Sequence, residues 1–516
     1  MVLVATAILL MTIVALTVFH FSTHLGRSGR LVDDFPGPKY WPIIGNSLEL
    51  LVSPEDLWSR LRNWAKYYKS TYRFWIGHWP NVNVCDPDDA EVLLSSQKNI
   101  TKSIFYDFVE PWLKEGLLTS TENKWRVRRK TLTPAFHFNI LQEFVGVFVE
   151  NTERMVNSLK KEGSAVVKDL VPLFAKYTLN TICETAMGTE LNDDDAEQTK
   201  YRRSVKVMGD ILYYRAVRPW FVNDWIFSLT PKGRKQAEAV KILHDFTTKI
   251  IEARKKYHEE TRGNHLKIFS SQRGKTEGTS APDYDAPIKK KRLAMLDLLI
   301  AAQKDTGVID DLGIREEVDT FIFEGHDTTD MGLSFALLLI AEHKEIQECA
   351  RAEIGSILKE SGGKLGINEL SNLTYLERCI KEALRLFPSV PTISRLITED
   401  MPLKKFIVPR GTIANLHIFD VHRNPDYWPR PDVYDPDRFL PDRLEGRHPF
   451  SYIPFSGGPR NCIGQKFAQL EMKVFIGLLL HNFYLEPVSR VSNIRLETDM
   501  ILKSLNPLNV KFIAIR

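Results

Sequence analysis

Residues 455–464 read FSGGPRNCIG and place one cysteine, Cys462, among glycines and just before a helical pattern that begins at Gln465. Glycine lets the backbone pass close to a flat ligand. A cysteine just ahead of a helix N-terminus is stabilised as a thiolate by the helix dipole and by nearby amides. The segment therefore predicts a thiolate ligand at Cys462. Four other cysteines are interpreted as small buried hydrophobic residues: Cys85, Cys183, Cys349 and Cys379.

This loop resembles the haem-binding loop of the cytochrome P-450 family. The match includes Phe455, Gly458, Arg460, Cys462 and Gly464. The resemblance implies a bound haem b, with the Cys462 thiolate as the axial ligand of its iron and with Phe455 and Gly464 in contact with the haem. A thiolate ligand pushes electron density onto iron and favours cleavage of the O–O bond. One departure is mild, because a glycine stands at position 457, where the family usually has alanine.

Basic residues in three segments fit the binding of the haem propionates. Arg460 lies in the loop itself, and a guanidinium pairs with a carboxylate in a fixed bidentate geometry. The sequence WRVRR supplies Trp125 and Arg129, which share one helical face and match the family's W-x-x-x-R motif. Arg395, in PTISR, matches another propionate-binding position. The resemblance therefore implies that these four residues hold the haem.

A second motif predicts a structural network rather than a catalytic one. In KEALRLFP, residues 381–388, Glu382 and Arg385 lie three apart on a predicted helix, as in the family's E-x-x-R motif. Arg438, in PDRF, falls at the arginine of the family's P-x-R-F motif. A buried network of these three residues loses solvation energy, so we expect it to fix the geometry beneath the haem loop rather than to add net stability.

The segment EVDTFIFEGHDTTD, residues 317–330, is apolar and helical but carries polar residues and a glycine in its middle. It resembles the oxygen-binding helix of the cytochrome P-450 family. The resemblance implies that Asp327 and Thr328 are the acid and alcohol that deliver protons, with Asp327 as the relay to solvent. Gly325 is expected to permit close approach to the ligand. Glu324 lies four residues before Thr328 and is expected to face the haem with it.

The same segment is similar to the fourth P-450 family, the fatty-acid ω-hydroxylases, in which a glutamate at the position of Glu324 can form an ester to a haem methyl. The segment WRVRRKTLTPAFHF, residues 125–138, supports the same subgroup. The resemblance implies an NADPH- and O2-dependent monooxygenase that hydroxylates a fatty acid at or near its ω end. Isoprenoid or steroid hormones and foreign compounds remain alternative substrates. Dehydration or decarbonylation at the same iron, and a membrane haem sensor without turnover, are alternative functions.

Electrons are expected from a separate protein, because the chain has no GxGxxG motif, and position 269 is a phenylalanine where a phosphate loop requires its first glycine. The resemblance implies NADPH cytochrome P-450 reductase, with cytochrome b5 as an additional donor. Six basic residues are candidates for the docking face: Lys124, Arg126, Arg128, Lys130, Lys466 and Lys473. Ordinary solvated charge is the alternative. A net charge of +4 over 516 residues does not suggest a nucleic-acid partner.

The first residues predict a membrane anchor. Residues 2–19 are apolar and uncharged, basic residues follow the span and none precedes it, so the catalytic part should be cytosolic. A cleaved signal peptide is the alternative. We expect an anchor over residues 1–30, a proline-rich hinge over 31–46 and a haem-binding monooxygenase domain over 47–516, with a flexible surface insertion at 262–287. The predicted location is the endoplasmic reticulum membrane.

The rest of the chain predicts a mainly α fold with a small β region, the cytochrome P-450 fold. Amphipathic helical patterns cover residues 56–66, 140–161, 170–187 and 232–258, and a short hairpin is predicted near TYRFWIG and NVNVCD. An apolar substrate pocket is expected from segments that are distant in sequence: 105–113, 208–220, 321–324, 390–393 and position 501.

Overall fold

The computed structural model describes residues 1–191, 196–262 and 294–515, and it confirms a mainly α fold with a small β region. The predicted insertion at 262–287 lies, apart from Arg262, outside the described residues. The helices of the first half are α1 Val2–Leu25, α2 Arg27–Asp33, α3 Ser47–Leu50, α4 Pro54–Tyr68, α5 Pro87–Ser95, α6 Glu110–Leu113, α7 Glu122–Leu132, α8 Phe138–Glu162, α9 Leu170–Thr185, α10 Ala196–Ala216, α11 Asp224–Ser228 and α12 Pro231–Glu260.

The helices of the second half are α13 Met295–Thr306, α14 Asp311–Glu342, α15 Lys344–Glu360, α16 Ile367–Asn372, α17 Thr374–Leu386, α18 Ile418–Val421, α19 Pro441–Leu444 and α20 Gln465–Asn482. Four helices of the first half, α4, α8, α9 and α12, begin and end within a few residues of the bounds that the apolar periodicity predicts. Long helices with one apolar face are easy to predict from a sequence, because their buried residues repeat every three or four positions.

The strands form small sheets at the side of the helices. The predicted hairpin is present as β1 Tyr72–Ile76 and β2 Trp79–Val84, which are antiparallel. With β4 Thr392–Leu396 and β7 Ile413–His417 it makes a four-stranded sheet of order β1-β2-β7-β4. A three-stranded sheet of order β3-β11-β8 joins Ala165–Asp169, Asn509–Ala514 and Phe483–Pro487. The remaining pairs are β5 Met401–Pro402 with β6 Ile407–Val408 and β9 Leu496–Glu497 with β10 Lys503–Ser504.

Helix α14 runs through the centre of the core. It begins at an N-cap, where the Asp310 side chain accepts a hydrogen bond from Gly313 N at 2.8 Å. Most of its length is buried, and it packs along α9, while α20 packs along α8. Because this helix is buried along most of its length, each polar residue in it loses solvation that an apolar side chain would not lose. These polar positions are therefore candidates for a function.

The N-terminal helix α1 is long and apolar enough to cross a membrane, and none of its residues from Val2 to Leu25 is buried against the protein. Helix α2 follows directly and rests on the catalytic part, with Val32 buried. At its end, the Asp33 carboxylate accepts hydrogen bonds from Tyr40 Oη at 2.9 Å and Trp75 Nε1 at 3.1 Å. The chain therefore leaves the apolar helix through a short segment that is fastened to the first sheet.

Candidate active site

The loop around Cys462 is closed by backbone contacts that place the cysteine at the start of α20. Cys462 N donates to Phe455 O at 2.9 Å, and Gly464 is the residue that precedes the first turn of α20. Gly458 has φ +65°, and a Cβ atom at this position would lie 1.9 Å from the Leu94 carbonyl oxygen in α5. Only glycine combines this conformation with so close an approach, so the loop packs directly on α5.

Protein atoms surround the Cys462 thiol, and yet the residue keeps an exposed surface. That surface therefore faces an internal space. Burial raises the pKa of this thiol to about 12, although the Gly464 N–H and the Arg129 guanidinium act in the opposite direction. The helix start alone therefore does not make a thiolate. A bound metal ion does so, because coordination displaces the thiol proton.

Four cationic side chains form a cluster beside Glu324 and Cys462: Arg395 is buried, and Lys102, Arg129 and Arg460 are partly exposed. The carboxylate that opposes them is Glu324, so within the described residues the cations exceed the carboxylate that faces them. Buried charge of one sign is costly unless a partner neutralises it. A haem carries two propionates, and this donor set together with the Cys462 thiol fits an iron porphyrin.

The residues of the WxxxR motif hold the cysteine loop. Arg129 donates from Nη1 to Asn461 O at 2.8 Å and from Nη2 to Asn461 Oδ1 at 2.7 Å, directly beside Cys462. The Arg460 guanidinium lies over the Trp125 ring at 4.9 Å and donates to the carbonyls of Leu118, at 2.9 Å, and Ser120, at 2.7 Å. Carbonyl acceptors orient this arginine without neutralising its charge, which leaves that charge for an anion.

Arg395 and Lys102 are brought together by a bridge between β4 and the segment after α5. Arg395 is 4 % exposed, and Lys102 Nζ lies 4.3 Å from the centre of the Tyr106 ring. Burial lowers the pKa of Lys102, and the neighbouring Arg395 and Arg460 lower it further. Sequence reasoning missed Lys102, because a single lysine in the segment NITKSIFYD carries no spacing or motif that separates it from a surface residue.

On α14 the polar residues occupy the same side of the helix. Glu324, Asp327 and Thr328 are partly exposed within a stretch that is otherwise buried, and the Thr328 hydroxyl donates to Glu324 O at 2.7 Å. Burial raises the pKa of the Glu324 carboxyl, while Lys102, Arg460 and Arg129 oppose that shift. Among the described residues, no side chain forms a hydrogen bond or ion pair with the Glu324 carboxylate.

Gly325 lies where α14 packs against α9. A Cβ atom here would lie 2.6 Å from Ile182 Cδ1 of α9. The glycine therefore allows α14 and α9 to pack closely, a role that the sequence did not predict, and its predicted role in ligand approach stays a prediction. The absence of a side chain looks the same in the sequence whether it admits a ligand or a neighbouring helix.

The structure joins Glu382, Arg385 and Arg438 beneath the loop. Arg385 donates to both oxygens of Glu382, at 2.7 Å and 2.8 Å, and Arg438 Nε lies 3.2 Å from Glu382 Oε1. Arg385 also donates to the carbonyls of His422, at 3.0 Å, and Val433, at 3.2 Å. The network ties α17 to the segment that leads into the cysteine loop, and it touches none of the residues around Cys462.

Two of the six candidate docking residues are buried, and their inclusion is wrong. Arg128 is 8 % exposed and pairs with Glu316 and Glu317 of α14, at 3.3 Å and 3.8 Å. Lys473 is 7 % exposed and lies 2.7 Å from Glu377 Oε2. Lys124 is partly buried and pairs with Glu115 and Glu316. Arg126, Lys130 and Lys466 remain exposed around the cysteine loop.

Two small pockets have mainly apolar walls. One is lined by Val109, Trp112, Val205, Met208, Phe323 and Ile501 together with three charged residues, Asp327, Asp499 and Lys503. A second lies between the first sheet and the segment after α10, and its walls include Phe105, Phe108, Ala216, Pro219 and Val222. Four of the five predicted pocket segments contribute to these walls, and residues 390–393 do not.

The family model for cytochrome P450 matches residues 35–512 of the chain. The chain is 40% identical over 497 residues to cytochrome P450 4c3 of Drosophila melanogaster, with 95% of this chain and 91% of that protein covered. It is 37% identical over 506 residues to cytochrome P450 4c21 of Blattella germanica, with 97% of each covered. It is 36% identical over 474 residues to cytochrome P450 4V2 of Homo sapiens, with 91% of this chain and 88% of that protein covered. This chain therefore belongs to the cytochrome P450 family, within its fourth family, and is a haem-dependent monooxygenase that acts on apolar substrates.

Proposed function

We propose that this protein hydroxylates fatty acids at or near the ω end. The observation that carries the proposal is the position of Glu324, on the inward side of α14, four residues before Thr328 and within electrostatic reach of Lys102, Arg129 and Arg460. The walls of the neighbouring pockets are mainly apolar, which suits contact with a hydrocarbon chain. A carboxylate at the haem edge and an apolar channel together favour a substrate that presents a terminal methyl group.

Each residue of the site has a separate task in this proposal. Bound haem would supply the iron at which dioxygen is activated, and Cys462 Sγ would bind that iron. Arg129, Arg395 and Arg460, with Lys102, hold the propionates, while Trp125 keeps Arg460 in place by stacking. Phe455 and Gly464 shape the loop on either side of the cysteine.

Proton delivery is assigned to Asp327 and Thr328. The Thr328 hydroxyl already donates to a helix carbonyl, so a small rotation of its side chain can redirect that donor toward the haem face. Asp327 is partly exposed to the pocket and takes a proton from water before passing it to Thr328 Oγ. Glu382, Arg385 and Arg438 support the loop and take no part in the chemistry.

Glu324 is proposed to form an ester with a haem methyl group during turnover: a C–O bond to the carboxylate would replace one methyl C–H bond, the proton would leave to solvent, and dioxygen, which the monooxygenase reaction reduces, would take up the two electrons. Its carboxylate has no direct partner among the described side chains, and an unpaired buried carboxylate gains from a covalent bond that removes its charge. A tethered haem has a fixed angle to the channel, which favours a terminal methyl over the weaker C–H bonds of the adjacent methylene groups. The alternative is a glutamate that only hydrogen-bonds to water.

Electrons are proposed to come from NADPH through cytochrome P-450 reductase, with cytochrome b5 as an additional donor. The exposed residues Arg126, Lys130 and Lys466 surround the cysteine loop and suit an acidic partner. The proposed location is the endoplasmic reticulum membrane, with α1 in the bilayer. A second membrane contact is proposed at Trp220, Trp225 and Leu229, which are 51 %, 70 % and 63 % exposed.

The deciding experiment incubates the full-length, haem-loaded enzyme, reductase and NADPH with a mixed lipid extract, followed by analysis of the oxidised products. Fatty acids hydroxylated at the terminal carbon would support the proposal. Oxidised isoprenoids or steroids without hydroxylated fatty acids would replace it with that substrate class. Acid extraction of enzyme after turnover tests the tether: haem that stays with the protein and is freed by Glu324→Ala establishes it, whereas free extraction of all haem from the wild type contradicts it.

A further inference from the structure

A buried ion pair lies in the turn between β9 and β10. Lys503 Nζ donates to Asp499 Oδ2 at 2.6 Å, and Asp499 Oδ1 accepts a hydrogen bond from Met500 N at 2.6 Å. The side chains of Lys503 and Asp499 are 16 % and 7 % exposed. The lysine is therefore oriented by the carboxylate beside it and is largely withdrawn from bulk solvent.

This pair shares a pocket with Asp327 of α14. Both Asp499 and Asp327 raise the pKa of Lys503, which keeps the ammonium charged. In the described parts of the chain, no group donates a hydrogen bond to the Asp327 carboxylate. An ammonium has three N–H donors, so Lys503 can serve Asp499 and a second acceptor in the same pocket.

The pocket is narrow because α10 approaches the pair closely. A Cβ atom at Gly209 would lie 2.6 Å from Asp499 Oδ2, so only glycine lets α10 pack on this carboxylate. Val205 and Met208 of α10, with Phe323 and Ile501, form apolar walls around the three charged groups.

We propose that Lys503, oriented by Asp499, is a positioning residue for Asp327: its remaining N–H donors direct the Asp327 carboxylate into the pocket that the three side chains line. The inference rests on the proposed relay role of Asp327 and Thr328. Lys503 keeps its own proton throughout. The transferred proton comes from water, binds the Asp327 carboxylate and passes to Thr328 Oγ as that hydroxyl gives up its own proton toward the haem face, so both groups return to their starting states.

Other titratable groups face this cluster from the elements packed around it. They are Tyr201, Arg202, Lys206 and Asp210 on α10, His326 and Asp330 on α14, and Glu497 on β9. Lys206 is exposed and on the same helix as the pocket wall, which makes it a matched control. Replacing it removes one nearby positive charge without touching the pocket.

The test uses the full-length, haem-loaded enzyme with its reductase and a saturated long-chain fatty acid. Lys503→Met should release about five-fold more hydrogen peroxide per NADPH, whereas Lys503→Arg and Lys206→Met should resemble the wild type. Asp499→Asn keeps the lysine but removes its anchor, and about a two-fold rise is expected. If Lys503→Met fails to retain haem, Asp499→Asn carries the comparison.

A double-mutant comparison separates positioning of Asp327 from a general structural role. The Lys503→Met effect on peroxide release should be largely absent in an Asp327→Asn background, because the lysine acts through that carboxylate. An effect that is as large in the Asp327→Asn background as in the wild type overturns the inference. Normal peroxide release by both Asp327→Asn and Thr328→Ala would instead overturn the proposed relay itself.

Discussion

Gly458→Ala is the substitution for which the structure gives the sharpest expectation. An alanine at φ +65° costs about 1 to 2 kcal/mol relative to glycine. Its Cβ atom would also lie 1.9 Å from the Leu94 carbonyl oxygen, far inside an ordinary contact, so the loop or the end of α5 has to move. Overpacking of this kind typically adds about 1 to 3 kcal/mol. We expect a total loss of about 2 to 5 kcal/mol and weaker haem retention.

Gly457→Ala is the matched control, because the same change is made one residue earlier. Gly457 has φ −154°, which any residue adopts, and its added Cβ atom would lie 3.0 Å from Phe450 Cε1, an aromatic ring edge that can turn. Its expected loss is below about 1 kcal/mol. Gly458→Asn separates the two causes, since asparagine tolerates positive φ but still carries the Cβ atom.

The assay measures haem retention on gel filtration and the denaturant midpoint of the haem-loaded protein. Gly458→Ala and Gly458→Asn should both lose haem, while Gly457→Ala should retain it. Recovery of haem retention in Gly458→Asn alone would show that the backbone angle matters and the contact with Leu94 does not. Equal behaviour of Gly457→Ala and Gly458→Ala would refute the reasoning.

Four further predictions follow from the same structure. Cys462→Ala should remove the thiolate-ligated absorption spectrum and all turnover, and a variant that kept this spectrum would contradict the central assignment. Arg126→Glu with Lys130→Glu should slow reductase-supported turnover about ten-fold at low salt but leave peroxide-driven turnover intact; equal loss in both assays would indicate misfolding. Deletion of residues 2–25 should leave part of the protein on vesicles in a flotation assay, through the exposed tryptophans Trp220 and Trp225, and Trp220→Ala with Trp225→Ala should release it. Burial raises the pKa of Asp319 to about 8, so its carboxyl is protonated in the folded state and ionised in the unfolded state near pH 6. The free energy of unfolding should therefore fall by about 2 kcal/mol between pH 6 and pH 8. Asp319→Asn should flatten that pH dependence in denaturant titrations, and the exposed Asp305→Asn is the control.

The sequence is most informative where one short segment contains the whole signal. The cysteine loop, the apolar first helix and the long amphipathic helices were predictable, because the residues that identify each of them lie close together in one segment of the sequence. The pairing of Glu382 with Arg385 is likewise local, since three residues on a helix bring the two side chains together. Arg438 required the resemblance to the family, because it is distant in sequence.

Burial of charge is the property that the sequence conceals. Arg128 sits in a run of basic residues that looks solvated, and its burial depends on Glu316 and Glu317, which lie in a different helix. Lys102 and Lys503 show the same limitation, since each looks like a surface lysine in the sequence but faces an internal site. Whether a charged residue is exposed is decided by its partner, and no periodicity in its own segment records where that partner is.

The cluster of Lys102, Arg129, Arg395 and Arg460 has a consequence for folding as well as for catalysis. Like charges held together in a buried space repel one another, and Glu324 opposes only part of that charge. The repulsion destabilises the protein alone and is relieved when an anion binds among the cations. Haem supplies two carboxylates there and a metal for Cys462, so much of its binding free energy appears as folding free energy. The same arrangement that selects the cofactor therefore makes this part of the fold depend on it, and Glu324→Gln, which removes the opposing carboxylate, should lower the stability of the haem-free protein more than that of the loaded one.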